Sequence, residues 1–128
     1  MSTDAVRQLL TDYYRDFSTL NVQSILPYFH EPSLLIGPQG VMPVPDRAAV
    51  AAAFGPVMEG LRAKGYGRSE FELGSAQVLS ASAAIVGGAA ARYKKDGQLL
   101  ERVGITYVLH KSDSGWEFAA VILHDPQT

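Results

Sequence analysis

His30, His110 and His124 are the only side chains of this 128-residue sequence with ordinary titration near neutral pH; there is no cysteine. His124 stands out among them. It closes GWEFAAVILHD, residues 115–125, where an apolar, strand-like run ends in two ionisable groups. An imidazole there can give or take a proton at working pH. Arg102 can hold a carboxylate or other oxyanion. Tyr13, Tyr14 or Tyr93 can steady developing charge through a phenolic hydroxyl, and Thr106 adds one more polar point. His30 and Glu31 fall in a loop and His110 borders a polar turn, so these read as solvated. No His-x-His or HExxH spacing occurs, so no metal site is expected. No serine lies in a nucleophile elbow, and neither Gly87-Gly88 nor GPQG joins a strand to a helix as a phosphate loop must. The expected chemistry is therefore free of metal and cofactor.

Whether these groups meet depends on strand register. Lys95-Asp96-Gly97-Gln98 carries a two-residue hairpin signal. Counting back from it pairs Arg92 with Glu101, Tyr93 with Leu100, Ala91 with Arg102 and Ala89 with Gly104. In HKSDSGW, a five-residue turn from Lys111 to Gly115 pairs His110 with Trp116, Thr106 with Ala120, Gly104 with Ile122 and Arg102 with His124. A four-residue turn would shift every pair by one. The five-residue turn keeps Trp116, Phe118, Ile122 and Val108 on one face, taken as the inner one. Tyr93, Arg102, Thr106 and His124 gather at one end of that face, and alternation turns Asp125 away. The opposite face, with Val103, Ile105, Tyr107, Leu109, Val121 and Leu123, is apolar as well. A sheet apolar on both sides needs covering twice. Helices cover one side, and a second copy of the chain is the simplest cover for the other, so a homodimer is expected.

The elements that hold this sheet come first in the chain. Val6, Leu9, Leu10, Tyr13, Phe17 and Leu20 recur at helical spacing over roughly residues 4–20. Asn21 can cap a short second helix ending near Phe29, although Pro27 removes a donor beyond its first turn. Ser33 to Ile36 reads as a short strand and residues 37–45, GPQGVMPVP, as loop. Asp46 starts a third helix that carries Val50, Phe54, Val57, Met58 and Leu61, with a kink or break at Gly55-Pro56. Four strands are expected near 70–80, 83–95, 98–111 and 115–124. The order is helices first, then an antiparallel meander, which is an α+β pattern in one domain spanning 1–128.

Composition narrows the function classes. At 47% hydrophobic and 19% charged the chain is globular in type. A net charge of −2 gives no reason to expect nucleic acid or an anionic membrane as partner. No apolar run approaches the ~20 residues needed to span a bilayer. The polar start MSTDAVRQLL does not read as a signal peptide, so the expected location is the cytoplasm.

YYRDFSTLNVQSILPYFHEPSLLIGPQG, residues 13–40, and GITYVLHKSDSGWEFAAVILHD, residues 104–125, resemble the first helix, short second helix, first strand and final hairpin of the nuclear-transport-factor-2-like superfamily. The SnoaL-like and ketosteroid-isomerase-like branch is the most similar. The resemblance implies a cystatin-like cone: three N-terminal helices on a curved, mostly antiparallel sheet, an internal pocket, and dimers through the open sheet face. It also implies metal-free chemistry of isomerase, lyase or hydrolase type. Tyr13 occupies the place of the isomerases' oxyanion donor. Gly37 and Thr106 stand where those enzymes carry carboxylates, which argues against that chemistry; a pairing of His124 with Tyr13 or Tyr93 matches the dehydratases better. The expected ligand is a mostly apolar small molecule with a polar or anionic group. Tyr93, Arg102, Thr106 and Tyr14 are its polar contacts, and Phe54, Met58, Phe118 and Ile122 its walls. The alternative is a non-catalytic ligand-binding or dimerisation module.

Overall fold

The computed structural model describes residues 2–126. Helix α1 spans Asp4–Phe17 and buries Val6, Leu10, Tyr13, Tyr14 and Phe17, the stripe its spacing predicts. Asn21 caps the next element, its side chain accepting from the Gln23 N–H at 3.1 Å. With Pro27 inside it, Val22–Tyr28 forms a 3₁₀ helix. Asp46 caps α2, Arg47–Ala63, by accepting from the Ala49 N–H at 2.9 Å. The expected break at Gly55-Pro56 does not occur, and the helix is continuous through both residues.

Six strands follow the order β2-β1-β6-β5-β4-β3, where β1 is Phe29–Gly37, β2 Gly40–Val44, β3 Tyr66–Val78, β4 Ala83–Lys94, β5 Leu99–Ser112 and β6 Gly115–His124. All neighbours are antiparallel except β1 and β6, which run parallel. The stretch expected as loop between residues 37 and 45 is instead the turn and second arm of the β1–β2 hairpin. Pro43 is tolerated there because β2 is an edge strand and needs no donor on its outer side.

The β4–β5 pairs Arg92–Glu101, Ala91–Arg102 and Ala89–Gly104 form as the Asp96-Gly97 turn predicts, while Tyr93 faces Leu99 across an irregularity in the ladder. The last hairpin is the important correction. Its turn holds neither five nor four residues: Ser112 pairs with Gly115, whose φ of +99° suits glycine. One step further the ladder slips, with Leu109 opposite Phe118 but Val108 opposite Ala120. Ala119 is thus the extra residue of a β-bulge. A bulge reverses which side alternate residues face. Trp116 and Phe118 pack on the core as expected, but beyond the bulge Val121 and Leu123 take the inner face. Ala120, Ile122 and His124 turn outward. On β5 the inward residues are Val103, Ile105, Tyr107 and Leu109.

The core between helices and sheet is largely aromatic. Tyr13 meets Phe118 edge-to-face at 4.8 Å between centroids, and Tyr107 stacks on Phe118 at 4.5 Å. Met58 and Phe118 are fully buried in it.

Candidate functional site

The helices do not fill the whole inner face. Between α1, α2, the β1–β2 hairpin and the curve of β4, β5 and β6 lies a cavity of about 760 Å³, within the usual range for small-molecule sites. Exposure along the strands gives its direction. On β5, Tyr107 is 1% exposed and lies at the closed end; on β6, exposure climbs from 6% at Val121 to 43% at Leu123. Val41 and Met42 of β2 and Val57 of α2 complete an apolar, solvent-exposed rim.

The floor is made of phenols. Tyr14 on α1 and Tyr107 on β5 share a hydrogen bond of 2.7 Å between their hydroxyls, and Tyr13 lies beside them with ring centroids 5.5 Å from Tyr14 and 6.3 Å from Tyr107. Burial pushes the pKa of all three well up, so the floor is neutral and offers hydroxyls rather than charge. On the β3 side, Ser69 shares a 2.6 Å hydrogen bond with Tyr66, and Ser18 Oγ accepts from the Ser69 N–H at 3.0 Å.

One ion pair lines the cavity. Arg92 Nη1 lies 3.5 Å from Glu101 Oε2, and the guanidinium sits 5.7 Å from the Phe17 ring centroid. Glu101 is the only carboxylate among the described residues that line the cavity, and no histidine lines it.

The residues expected to form the site therefore divide. Tyr13, Tyr14 and Phe54 line the cavity. Phe118 and Met58 lie in the packed core behind it. Tyr93, Arg102, Thr106, Ile122 and His124 are on the opposite face of the sheet: the two-residue turn sets Leu109 rather than Val108 against Phe118 and so turns Arg102 and Thr106 outward, Tyr93 alternates with the cavity-lining Arg92, and the Ala119 bulge turns Ile122 and His124 outward. Nor do they gather there as expected. His124 lies opposite Gly104 and bonds Thr106, Nε2 to Oγ1, at 2.9 Å. Its Nδ1 lies 2.7 Å from the Asp125 carbonyl oxygen, a separation that suits N–H donation. Arg102 pairs with Glu72 of β3 at 2.7 Å, a carboxylate that counting on β4 to β6 alone misses. Tyr93 lies under the Arg68 guanidinium, 4.4 Å from ring centroid to Cζ. The sequence reading leaves outside the floor residue Tyr107, together with its apolar neighbours on β5 and β6, and also the ion pair of Arg92 and Glu101. Their pairing was legible from the Asp-Gly turn; their face was not.

No group of three or more metal-ligating side chains forms among the described residues. No helix there is long and apolar enough to cross a membrane.

Residues 3–126 match the family described as NTF2-like protein (DUF6841). The chain belongs to that family. Solved structures repeat the fold. An NTF2-like protein of unknown function from Shewanella oneidensis is 23% identical, with 98% of this chain and 100% of that one covered and a TM-score of 0.76. A domain of unknown function with a cystatin-like fold from Nostoc punctiforme is 16% identical, with coverages of 100% and 81% and a TM-score of 0.79. A ketosteroid isomerase-like protein from Erwinia carotovora atroseptica is 17% identical, with coverages of 94% and 92% and a TM-score of 0.65. At these identities the NTF2-like likeness is one of fold. A search of curated proteins gives no match.

Proposed function

We propose that this NTF2-like protein binds a mostly apolar small molecule through an oxygen atom placed on the phenolic floor of the cavity. The observation that carries the reading is the Tyr14–Tyr107 hydroxyl pair at the closed end of a mostly apolar space of about 760 Å³. One hydroxyl spends its only O–H in the mutual bond, so the pair keeps one donor and spare lone pairs, which a ligand carbonyl or hydroxyl fits. An anion placed on the floor alone would be buried without a countercharge, which is costly. The phenols carry the polar role expected of Tyr13 and Tyr14. A cofactor-free lyase, isomerase or hydrolase would need Glu101 as its acid–base group, since His124 faces the other way. No second carboxylate and no histidine line the cavity among the described residues to work with Glu101, and this favours binding over catalysis.

The test is a binding series with decanol and decanoate, followed by thermal shift and calorimetry. A bound ligand at a hundred times its Kd adds about 2.7 kcal/mol of stability. Tyr14→Phe should weaken decanol, whose hydroxyl would rest on the floor. Lack of binding by either would refute the reading.

A second reading concerns the outer face. It presents Ile85, Val108, Ile122 and Leu34 around the small residues Gly87, Ala89, Gly104 and Ala120, with no helix over them. We propose that a second copy of the chain covers it as a homodimer. Ile85→Lys should then give a folded monomer in sedimentation experiments; wild type already monomeric would refute this.

A further inference from the structure

Resting on the binding reading above, we propose that the ligand is a monocarboxylate held by Arg92, and that Glu101 is the internal carboxylate it displaces. The Arg92 side chain is 14% exposed, yet its pairing is incomplete. Its contact with Glu101 is a single one at 3.5 Å, whereas charge-assisted bonds of this kind normally close to about 2.7–2.9 Å. The protein makes such bonds elsewhere: Arg47–Glu117 and Arg102–Glu72 are both 2.7 Å. Arg92 Nε is buried with no hydrogen-bond partner among the described residues. A guanidinium carries five N–H donors in a fork that matches a carboxylate. A buried donor left unpaired is costly, so a guanidinium this poorly satisfied is one that awaits an acceptor.

The cavity walls hold no carboxylate but Glu101 among the described residues, so an acceptor brought by a ligand fits these donors. The charge balance selects a monoanion. Arg92 is the only cation among the described residues that line the cavity, so a phosphate dianion would bury a second charge without a partner. Glu101 is 35% exposed and can swing into water when a ligand carboxylate takes its place. Two carboxylates on one guanidinium repel each other, so Glu101 lowers affinity for acids and leaves neutral ligands unaffected. It is a specificity-determining residue, and the apolar body of the acid would lie along Val103, Ile105 and Val121.

The experiment is calorimetry of decanoate and methyl decanoate against wild type, Arg92→Gln, Glu101→Gln and, as an outer-face control, Arg102→Gln. Wild type should prefer the acid by on the order of tenfold, the effect of one hydrogen bond to a charged group. Arg92→Gln should erase that preference. Glu101→Gln should tighten the acid by on the order of tenfold and leave the ester unchanged. Arg102→Gln should do nothing. Equal affinity of wild type for acid and ester, or no tightening in Glu101→Gln, overturns the proposal while leaving the binding cavity intact. Failure of both probes to bind overturns the cavity reading and this assignment with it. Should Arg92→Gln not fold, the Glu101→Gln comparison decides alone.

Discussion

Removing one hydroxyl from the cavity floor should cost more than removing two. Tyr14 is 6% exposed and Tyr107 1%, and their hydroxyls meet at 2.7 Å. Tyr14→Phe keeps the ring contacts with Tyr13 and Phe71 but leaves the Tyr107 hydroxyl without its protein partner. An orphaned buried hydroxyl costs about 1–3 kcal/mol, whereas replacing both partners by apolar groups of the same shape is close to neutral. For a chain of this length 1 kcal/mol corresponds to about 4 °C in Tm. Each single variant, Tyr14→Phe and Tyr107→Phe, should therefore lose about 4–11 °C. The double variant should lose less than either single, so the coupling should exceed one single loss, about 1–3 kcal/mol. The assay is urea or thermal unfolding of all four proteins at one protein concentration, because self-association would make Tm concentration-dependent. Strict additivity, or a double variant worse than both singles together, would show that the two hydroxyls are not paired and would remove the floor from the binding reading.

Three further outcomes can be checked with the same tools. A Cβ at Gly104 would lie 2.5 Å from His124 Nδ1 and 2.5 Å from the Asp125 carbonyl oxygen, so Gly104→Ala should displace His124, break its bond to Thr106 and lower stability by about 1–3 kcal/mol in urea melts; an unchanged midpoint would contradict the register. His124→Ala, on the outer face, should leave decanol and decanoate affinities within twofold of wild type, and a large loss would return the imidazole to the site. Burial holds the Tyr13, Tyr14 and Tyr107 phenols up, and burial with the Asp16 carboxylate, bonded at 2.5 Å, raises Tyr28 to about 12. These folded-state values lie above the unfolded value of about 10, so their contribution is whole below pH ~10 and is lost as pH rises through the folded values, about 12 for Tyr28 and higher for the three floor phenols. Phenolate absorbance from these four should appear together with unfolding; titration near pH ~10 in a folded protein would refute the burial.

The helices were legible because their signals are local. The apolar spacing of α1 and the Asp46 cap of α2 both sit within one or two turns of chain. The Arg92–Glu101 pair was legible for the same reason, since the Asp-Gly turn is two residues long and sets the count on both sides. The cavity face was not legible. It depends on the two-residue length of the last turn and on one extra residue, Ala119, in a run of six apolar side chains that alternate equally well in either parity. Apolar residues on both sides of β5 and β6 removed the cue that normally tells inside from outside. The second strand was hidden by Pro43 and two glycines, which read as loop until the strand is known to lie at an edge. Tyr13, Tyr14 and Phe54 survived into the site because helix faces do not depend on that parity.

The strand order has a kinetic consequence. β6 is the sole link between the β1–β2 hairpin and the β3–β4–β5 meander, and it is the last strand of the chain. The parallel pairing of Leu35 with Val121 closes a loop that encloses most of the protein. The meander can form early from neighbouring strands, whereas the hairpin that rims the cavity has no sheet to join until β6 has left the ribosome. Closure of the cavity should therefore be the late, slow, non-local event in folding. Trp116, at the start of β6, is the only tryptophan and sits where its fluorescence would time that event.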